Sequence, residues 1–307
     1  MARIMTGVNW LIPVFALLAV VPLVAGPFYS RLVATGILYG VAAVGFNVLF
    51  GYTGLLSFGH AMFWGTGAYV VAIGTVKLSL GFPQSFLLAL GVVLLLALVT
   101  GYLSLRHTKI YFAMLTLAFS QLVYAVALKW RSVTGADEGI YGIPRPLGDI
   151  EDYYYVVLVV SFATLFLTWK LLRSPLGLAF RSVRDNPYRA EVVGYSVNRV
   201  RLVSFLVSGL VTGIAGALYS PLQSSINPDS LYWTFSAAIV FMAILGGSRV
   251  FLGPFIGGLV YVFIQDIAMG LTEYWLLITG LILGAVIFIL PSGIVGFIVK
   301  LAGGDEE

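Results

Sequence analysis

Apolar residues in this chain gather in long unbroken blocks, not in the two-residue alternation of strands or the one-sided stripe of soluble helices. No charged residue falls between Arg31 and Lys77, Lys77 and Arg106, Arg201 and Asp229, or Glu273 and Lys300. Each gap exceeds the roughly 20 residues that carry a helix across a bilayer core. Apolar runs place spans near residues 9–26, 32–50, 60–76, 84–105, 110–129, 153–172, 202–220, 234–246, 254–270 and 275–290, about ten crossings by the length rule. The eighth is too short to cross unless it continues into "GGSRVF". The first, behind Arg3, lacks a clear A-x-A cleavage site and reads as a helix, not a signal peptide. The expected fold is all-α: a polytopic transmembrane helical bundle making one domain of residues 1–307.

Basic residues orient the bundle, because cytoplasmic loops retain Lys and Arg. Lys170, Arg173, Arg181, Arg184, Arg189, Arg199 and Arg201 outnumber Asp185 and Glu191, so the 173–201 loop is expected inside. Asp137, Glu138, Asp149, Glu151 and Asp152 outnumber Lys129, Arg131 and Arg145, so the 130–152 loop is expected outside. The span between them has Tyr153, Tyr154 and Tyr155 at its outer end and Trp169 with Lys170 at its inner end, as interfacial anchors require. Counting outward puts Arg106, His107, Lys109, Arg249 and both termini in the cytoplasm, with Arg31 and Lys77 as exceptions outside.

Two glycine-rich stretches interrupt the apolar blocks. "GYTGLLSFGH", residues 51–60, follows Asn47 and sits at or near membrane depth, where unpaired backbone survives only inside protein or beside a wet cavity. Gly51, Gly54 and Gly59 permit a turn there, and Ser57 suits the N-cap of a helix over 61–76. Two compatible readings follow. Asn47, Gly51, Thr53, Gly54, Ser57, Gly59 and His60 line a translocation pathway, with the helix N-terminus turned toward an anionic group such as a carboxylate. Alternatively, the glycines only let helices pack closely and a neighbouring carbonyl satisfies His60. The second stretch, "GGSRVFLGP", supplies Gly246, Gly247, Gly253, Pro254 and, just beyond, Gly257. Its likeness to the first is a weak internal echo that admits two structural repeats.

The inner loop carries the most readable local structure. Asn186 suits an N-cap, Pro187 the first helical position and Gly194 the left-handed residue after the last turn, so a short helix is predicted over about 187–193. Ala190, Val192 and Val193 are expected to form a small apolar knob among Arg189, Glu191 and Asp185. A mere connector has no use for one, although arginines in this loop also satisfy the topology rule unaided.

Composition sharpens the class. The chain is 60% hydrophobic and 10% charged, with net charge +4, against roughly 45–50% apolar usage in soluble domains. The positive charge belongs to inner loops and needs no nucleic acid. Cysteine is absent and only His60 and His107 represent histidine, which leaves little for a metal site and implies no cofactor. No lysine follows a glycine, so there is no P-loop, and ATP hydrolysis must come from a partner. No enzyme is expected. Asp266, near the outer end of its span, reads as a solvated helix-end acid. Asn47, Gln121 and Gln265 read as packing glue.

The segments "FNVLFGYTGLLSFGHAMFWGTGAY", "TGADEGIYGIP", "VGYSVNRVRLVSFLVSGLVTGIAGALYS" and "ILGGSRVFLGPFIGG" occur in this order over residues 35–260. Together they resemble the permease subunits of branched-chain amino acid ABC importers, LivM type. The resemblance implies a second permease subunit of LivH type, two cytoplasmic ATP-binding subunits, an external solute-binding protein and an amino acid substrate, all at the cell (inner or plasma) membrane. It also implies that the stretch from Asn186 to Gly194 is the coupling helix that docks on the ATPase. This chain departs from the family at Arg189 and Ala190, where two alanines are common, at Tyr195, and at Ala136 and Glu138 of the outer loop. The alternative is a stand-alone secondary transporter or a facilitative channel for a small neutral solute such as urea or an amide, which needs no cytoplasmic partner.

Overall fold

The computed structural model describes residues 10–107, 109–290 and 292–301. The termini, expected in the cytoplasm, and Arg3 lie outside them. All ten apolar runs form helices: α1 (Leu11–Val24), α2 (Pro27–Thr53), α3 (His60–Ala72), α4 (Phe82–Ser104) and α5 (Ile110–Lys129), then, after the short α6 (Arg131–Thr134), α7 (Ile150–Leu172). The 173–201 loop forms α8 (Pro175–Asp185) and α9 (Pro187–Val192). It is followed by α10 (Val197–Gln223), α11 (Trp233–Gly246), α12 (Gly253–Leu271), α13 (Trp275–Ile289) and α14 (Gly293–Leu301). The chain is an all-α polytopic membrane protein. Among the described residues, six helices, α2, α4, α5, α7, α10 and α12, are long and apolar enough to cross a membrane. The helices of the first, third, eighth and tenth runs are shorter, and α3 continues as a π-helical turn over Ile73–Lys77.

α2 and α10 make the centre. In the most apolar stretch of α2, 83% of residues are buried, against 28% in α4 and in α5, which separates a helix surrounded by protein from helices that face lipid. α3 packs on α10, α12 on α2, α11 on α12, and α4 on both α3 and α10. α7 covers α2 on another side and carries α1, with Tyr154 Oη donating to the Leu18 carbonyl at 2.7 Å.

Small residues allow these approaches, since in lipid close packing replaces the hydrophobic drive between helices. A Cβ on Gly67 would strike the Gly213 carbonyl, one on Gly216 the Trp64 carbonyl, and one on Gly258 the Gly40 nitrogen. Between them the rings of Tyr39, Trp64, Tyr219, Phe235 and Tyr261 form one aromatic cluster, Trp64 and Phe235 at 4.9 Å between centroids.

The acidic 130–152 loop and the basic 173–201 loop sit at opposite ends of α7, whose 23 residues span about 34 Å at 1.5 Å per residue. At one end, β1 (Ile140–Tyr141) pairs antiparallel with β2 (Ser225–Ile226), Ile140 opposite Ile226. Two residues are too few for a strand pattern to stand out in the sequence. Gly139, at φ +76°, lies so close to Ile226 that a side chain there would meet its carbonyl. α8 and α9 occupy the other end.

Candidate functional site

The break between α2 and α3 is the feature that sequence reasoning singles out, and it is buried. Gly54 ends α2 at φ +75°, and the Leu55 N–H reaches back to the Leu49 carbonyl at 3.1 Å. Residues 54–59 then run without helix until His60. Asn47, Thr53, Leu55, Ser57 and His60 are all buried.

Irregular backbone at this depth must find partners inside the protein, and neighbouring hydroxyls supply them. Phe58 N–H donates to Thr116 Oγ1 of α5 at 3.2 Å, Gly59 N–H to Ser57 Oγ at 3.2 Å, and Ala61 N–H to Ser236 Oγ of α11 at 2.8 Å. Ser57 therefore serves the residue before the helix, and the first turn of α3 is capped from α11 by Ser236. Of the N–H groups in the first turn of α3, that of Ala61 is thus engaged by a neighbouring helix. Ser236→Ala would leave a buried N–H unpaired, so it is expected to destabilise by about 1–3 kcal/mol, read as a lower melting temperature in detergent.

α10 holds the same break through a stripe of hydroxyls one turn apart. Thr53 and Ser204 are hydrogen-bonded at 2.8 Å, and His60 Nε2 and Ser208 Oγ at 2.7 Å. A Cβ on Gly45 would come within 2.7 Å of Thr212 Oγ1. His60 is thus satisfied on one nitrogen by a side chain, not by a carbonyl. Its ring also stands edge-on to Phe46 and Phe63, at 5.1 and 5.9 Å. Ser204, Ser208 and Thr212 recur every four residues in "SFLVSGLVT", a spacing that puts them on one helix face. That spacing was the available signal for them. Ser236 and Thr116 left none.

The two glycine-rich turns meet. Asn47 Nδ2 donates to the Ser248 carbonyl at 2.9 Å, and a Cβ on Gly51 would stand 2.7 Å from that same oxygen. Gly247 turns the chain at φ +104°, and Pro254 lies in the first turn of α12. A Cβ on Gly246 would meet the Gly253 carbonyl, and one on Gly257 the Met242 carbonyl, so these glycines fix how closely α11 and α12 cross. On the far side, Gly54, Leu55, Leu56 and Phe58 border a cavity of about 580 Å³ that is lined opposite them by Lys109 and by Ile110 and Met114 of α5.

The 173–201 loop reaches the same place. Arg184, near the end of α8, donates from Nη1 to the Gly51 carbonyl at 2.7 Å while its Nε pairs with Asp185 at 3.0 Å. Arg181 lies over the Tyr52 ring at 5.8 Å. Asn186 ends α8 and caps α9, its Oδ1 accepting from Arg189 N–H at 3.0 Å, with Pro187 following. Gly194, at φ +100°, closes α9, with Tyr195 N–H donating to the Ala190 carbonyl and Gly194 N–H to the Glu191 carbonyl, both at 3.0 Å. That pair of bonds is a Schellman stop.

The knob differs from expectation in one member. Ala190 faces inward and is buried, at 4% exposure, whereas Tyr188, Val192 and Val193 stand 73–78% exposed. A six-residue helix lying on the protein must bury one face, and the smallest side chain permits the closest seat. A hollow of about 350 Å³ beside it brings together Asp185, Asn186, Arg189, Ala190 and Tyr195.

Comparison with known proteins accords with this architecture. Residues 28–291 match the family described as branched-chain amino acid transport system / permease component. The high-affinity branched-chain amino acid transport system permease protein LivM of Escherichia coli is 27% identical over 290 residues, covering 84% of this chain and 67% of that protein. LivH of Salmonella typhimurium is 24% identical over 295 residues, covering 86% of this chain and 93% of that one. The probable LivM of Methanocaldococcus jannaschii is 24% identical over 318 residues, covering 84% and 90%. No solved structure matches the chain. The chain belongs to the family of permease components of branched-chain amino acid transport systems.

Proposed function

We propose that the chain is the membrane-spanning permease subunit of an ABC importer that takes branched-chain or other hydrophobic amino acids from an external binding protein. The family match over residues 28–291 carries this reading. The partners are a second permease subunit of LivH type, two cytoplasmic ATP-binding subunits and the binding protein, and the setting is the cell (inner or plasma) membrane. The chain itself supplies no ATPase site.

In this reading α9 seats Tyr188, Val192 and Val193 in a groove of an ATP-binding subunit. Movement of α9 is passed through Asn186 to α8, and through Arg184 to the Gly51 carbonyl at the end of α2. The break at 54–59 is where such a movement alters the path, because it lacks the hydrogen-bond ladder that stiffens the helices on either side. A stand-alone transporter or channel would leave the exposed apolar residues of α9 without a role.

The test is transport by the purified chain in vesicles. Leucine is expected to accumulate only when the second permease, the ATP-binding subunits, the binding protein and ATP are all present. Accumulation by this chain alone, without nucleotide, would overturn the assignment.

A further inference from the structure

Opposite the inner loop, the ends of α2, α10 and α12 enclose a pocket of about 570 Å³, within the ~300–1,000 Å³ of small-molecule sites. Its polar lining consists of Arg31, Thr35, Tyr39, Gln223, Gln265 and Asp266, and Leu32, Val262 and Met269 supply apolar wall. Arg31 and Asp266 carry opposite charges into one cavity, yet neither has an ion-pair or hydrogen-bond partner for its side chain among the described residues. Arg31 is exposed and Asp266 half-buried, so both charges are open to a solute that enters the pocket.

Gln223 Nε2 donates to Thr35 Oγ1 at 3.2 Å, which ties α10 to α2 across the pocket. Tyr39 belongs to the aromatic cluster, 5.4 Å from Trp64 and 6.4 Å from Tyr261, and so gives the cavity a firm apolar boundary. A neutral solute would leave both charges unanswered, and a simple ion would answer one. A zwitterion with an apolar tail answers both and fills the rest.

We propose that this pocket is a receiving site for a zwitterionic, hydrophobic amino acid, with Arg31 holding the carboxylate, Asp266 the ammonium group, and Leu32, Val262 and Tyr39 the side chain. The proposal deepens the importer reading and rests on it. It places the first stop of the cargo at the end of the bundle remote from α9. It also gives Asp266 a task beyond that of a solvated helix end.

Phosphatidylethanolamine presents the same pair of charges, so the experiment separates the two zwitterions. The permease pair is set in nanodiscs with and without that lipid, and binding of radiolabelled leucine is measured for wild type, Arg31→Gln and Asp266→Asn. Each variant is expected to weaken leucine binding about tenfold, the loss of one charge-assisted hydrogen bond, in either lipid. Leucinamide and 4-methylpentanoate, which each lack one charge, are expected to compete poorly. The double exchange Arg31→Asp with Asp266→Arg is expected to recover part of the lost affinity, which a merely structural defect would not.

Unchanged leucine binding in both single variants, or variants that alter only the dependence on phosphatidylethanolamine, would overturn the pocket and leave the importer reading intact. Failure of the complete wild-type importer to take up any amino acid would overturn both.

Discussion

Val192→Asp and Val193→Asp introduced together are expected to abolish ATP-driven uptake, while the amount of chain in the membrane and its melting temperature stay at wild-type values. Both side chains are largely exposed, at 73% and 78%, so nothing in the permease itself depends on them. In a docked complex, burying a valine contributes about 1.5–3 kcal/mol relative to leaving it in water. Losing two of them and desolvating two carboxylates weakens docking by roughly a hundredfold or more. Co-purification of the ATP-binding subunits and uptake in vesicles are the readouts. Ala190 is the wrong residue for this test: a large side chain there would unseat α9 from α8 and confound docking with folding. Uptake near wild type by the double variant would mean that α9 is a connector and that force enters elsewhere.

Gly257→Leu is expected to cost the yield of folded protein. A Cβ at this position would overlap the Met242 carbonyl and stand 2.7 Å from the Gly246 nitrogen and 3.0 Å from its Cα. All three are backbone atoms of α11, so no rotamer change relieves the clash and the two helices must part. Overpacking of this kind costs ~3 kcal/mol or more, comparable to a large fraction of the ~5–15 kcal/mol that holds a typical domain folded. The yield of monodisperse protein in detergent is expected to fall roughly tenfold or more. Gly284→Leu is the control, because nothing lies within 4 Å of a Cβ there. Wild-type yield from Gly257→Leu would show that α11 and α12 do not cross as closely as described.

The sequence conveyed the elements better than their contacts. Each apolar run became a helix because in hydrocarbon the backbone must satisfy itself within one segment, so length and polarity suffice. The bounds of α9 were legible to within one residue: Asn186, Pro187 and Gly194 act through their own backbone and need no distant partner. The break at 54–59 was legible as a break and not in its chemistry. Ser57 is the nearest hydroxyl along the chain, yet the hydroxyl that caps α3 is Ser236, 175 positions away from Ala61. The same holds for the inward turn of Ala190, which depends on how α9 lies on α8. A neutral pattern of Ala and Val does not encode which of them meets the protein. Arg31 and Asp266 are far apart in the chain and unremarkable singly; only the convergence of α2 and α12 brings them to one pocket.

The bond from Asn47 to the Ser248 carbonyl joins two segments 201 residues apart, and its partners touch again where Gly51 abuts the same oxygen. Neither kinked corner is therefore an independent pivot. A tug delivered by Arg184 on the Gly51 carbonyl must either carry the 247–252 corner along with it or rupture a shielded amide contact. In the proposed cycle the two halves of the polypeptide would therefore move as a coupled linkage, and a lesion at Ser248 that keeps its carbonyl in place should leave that linkage working.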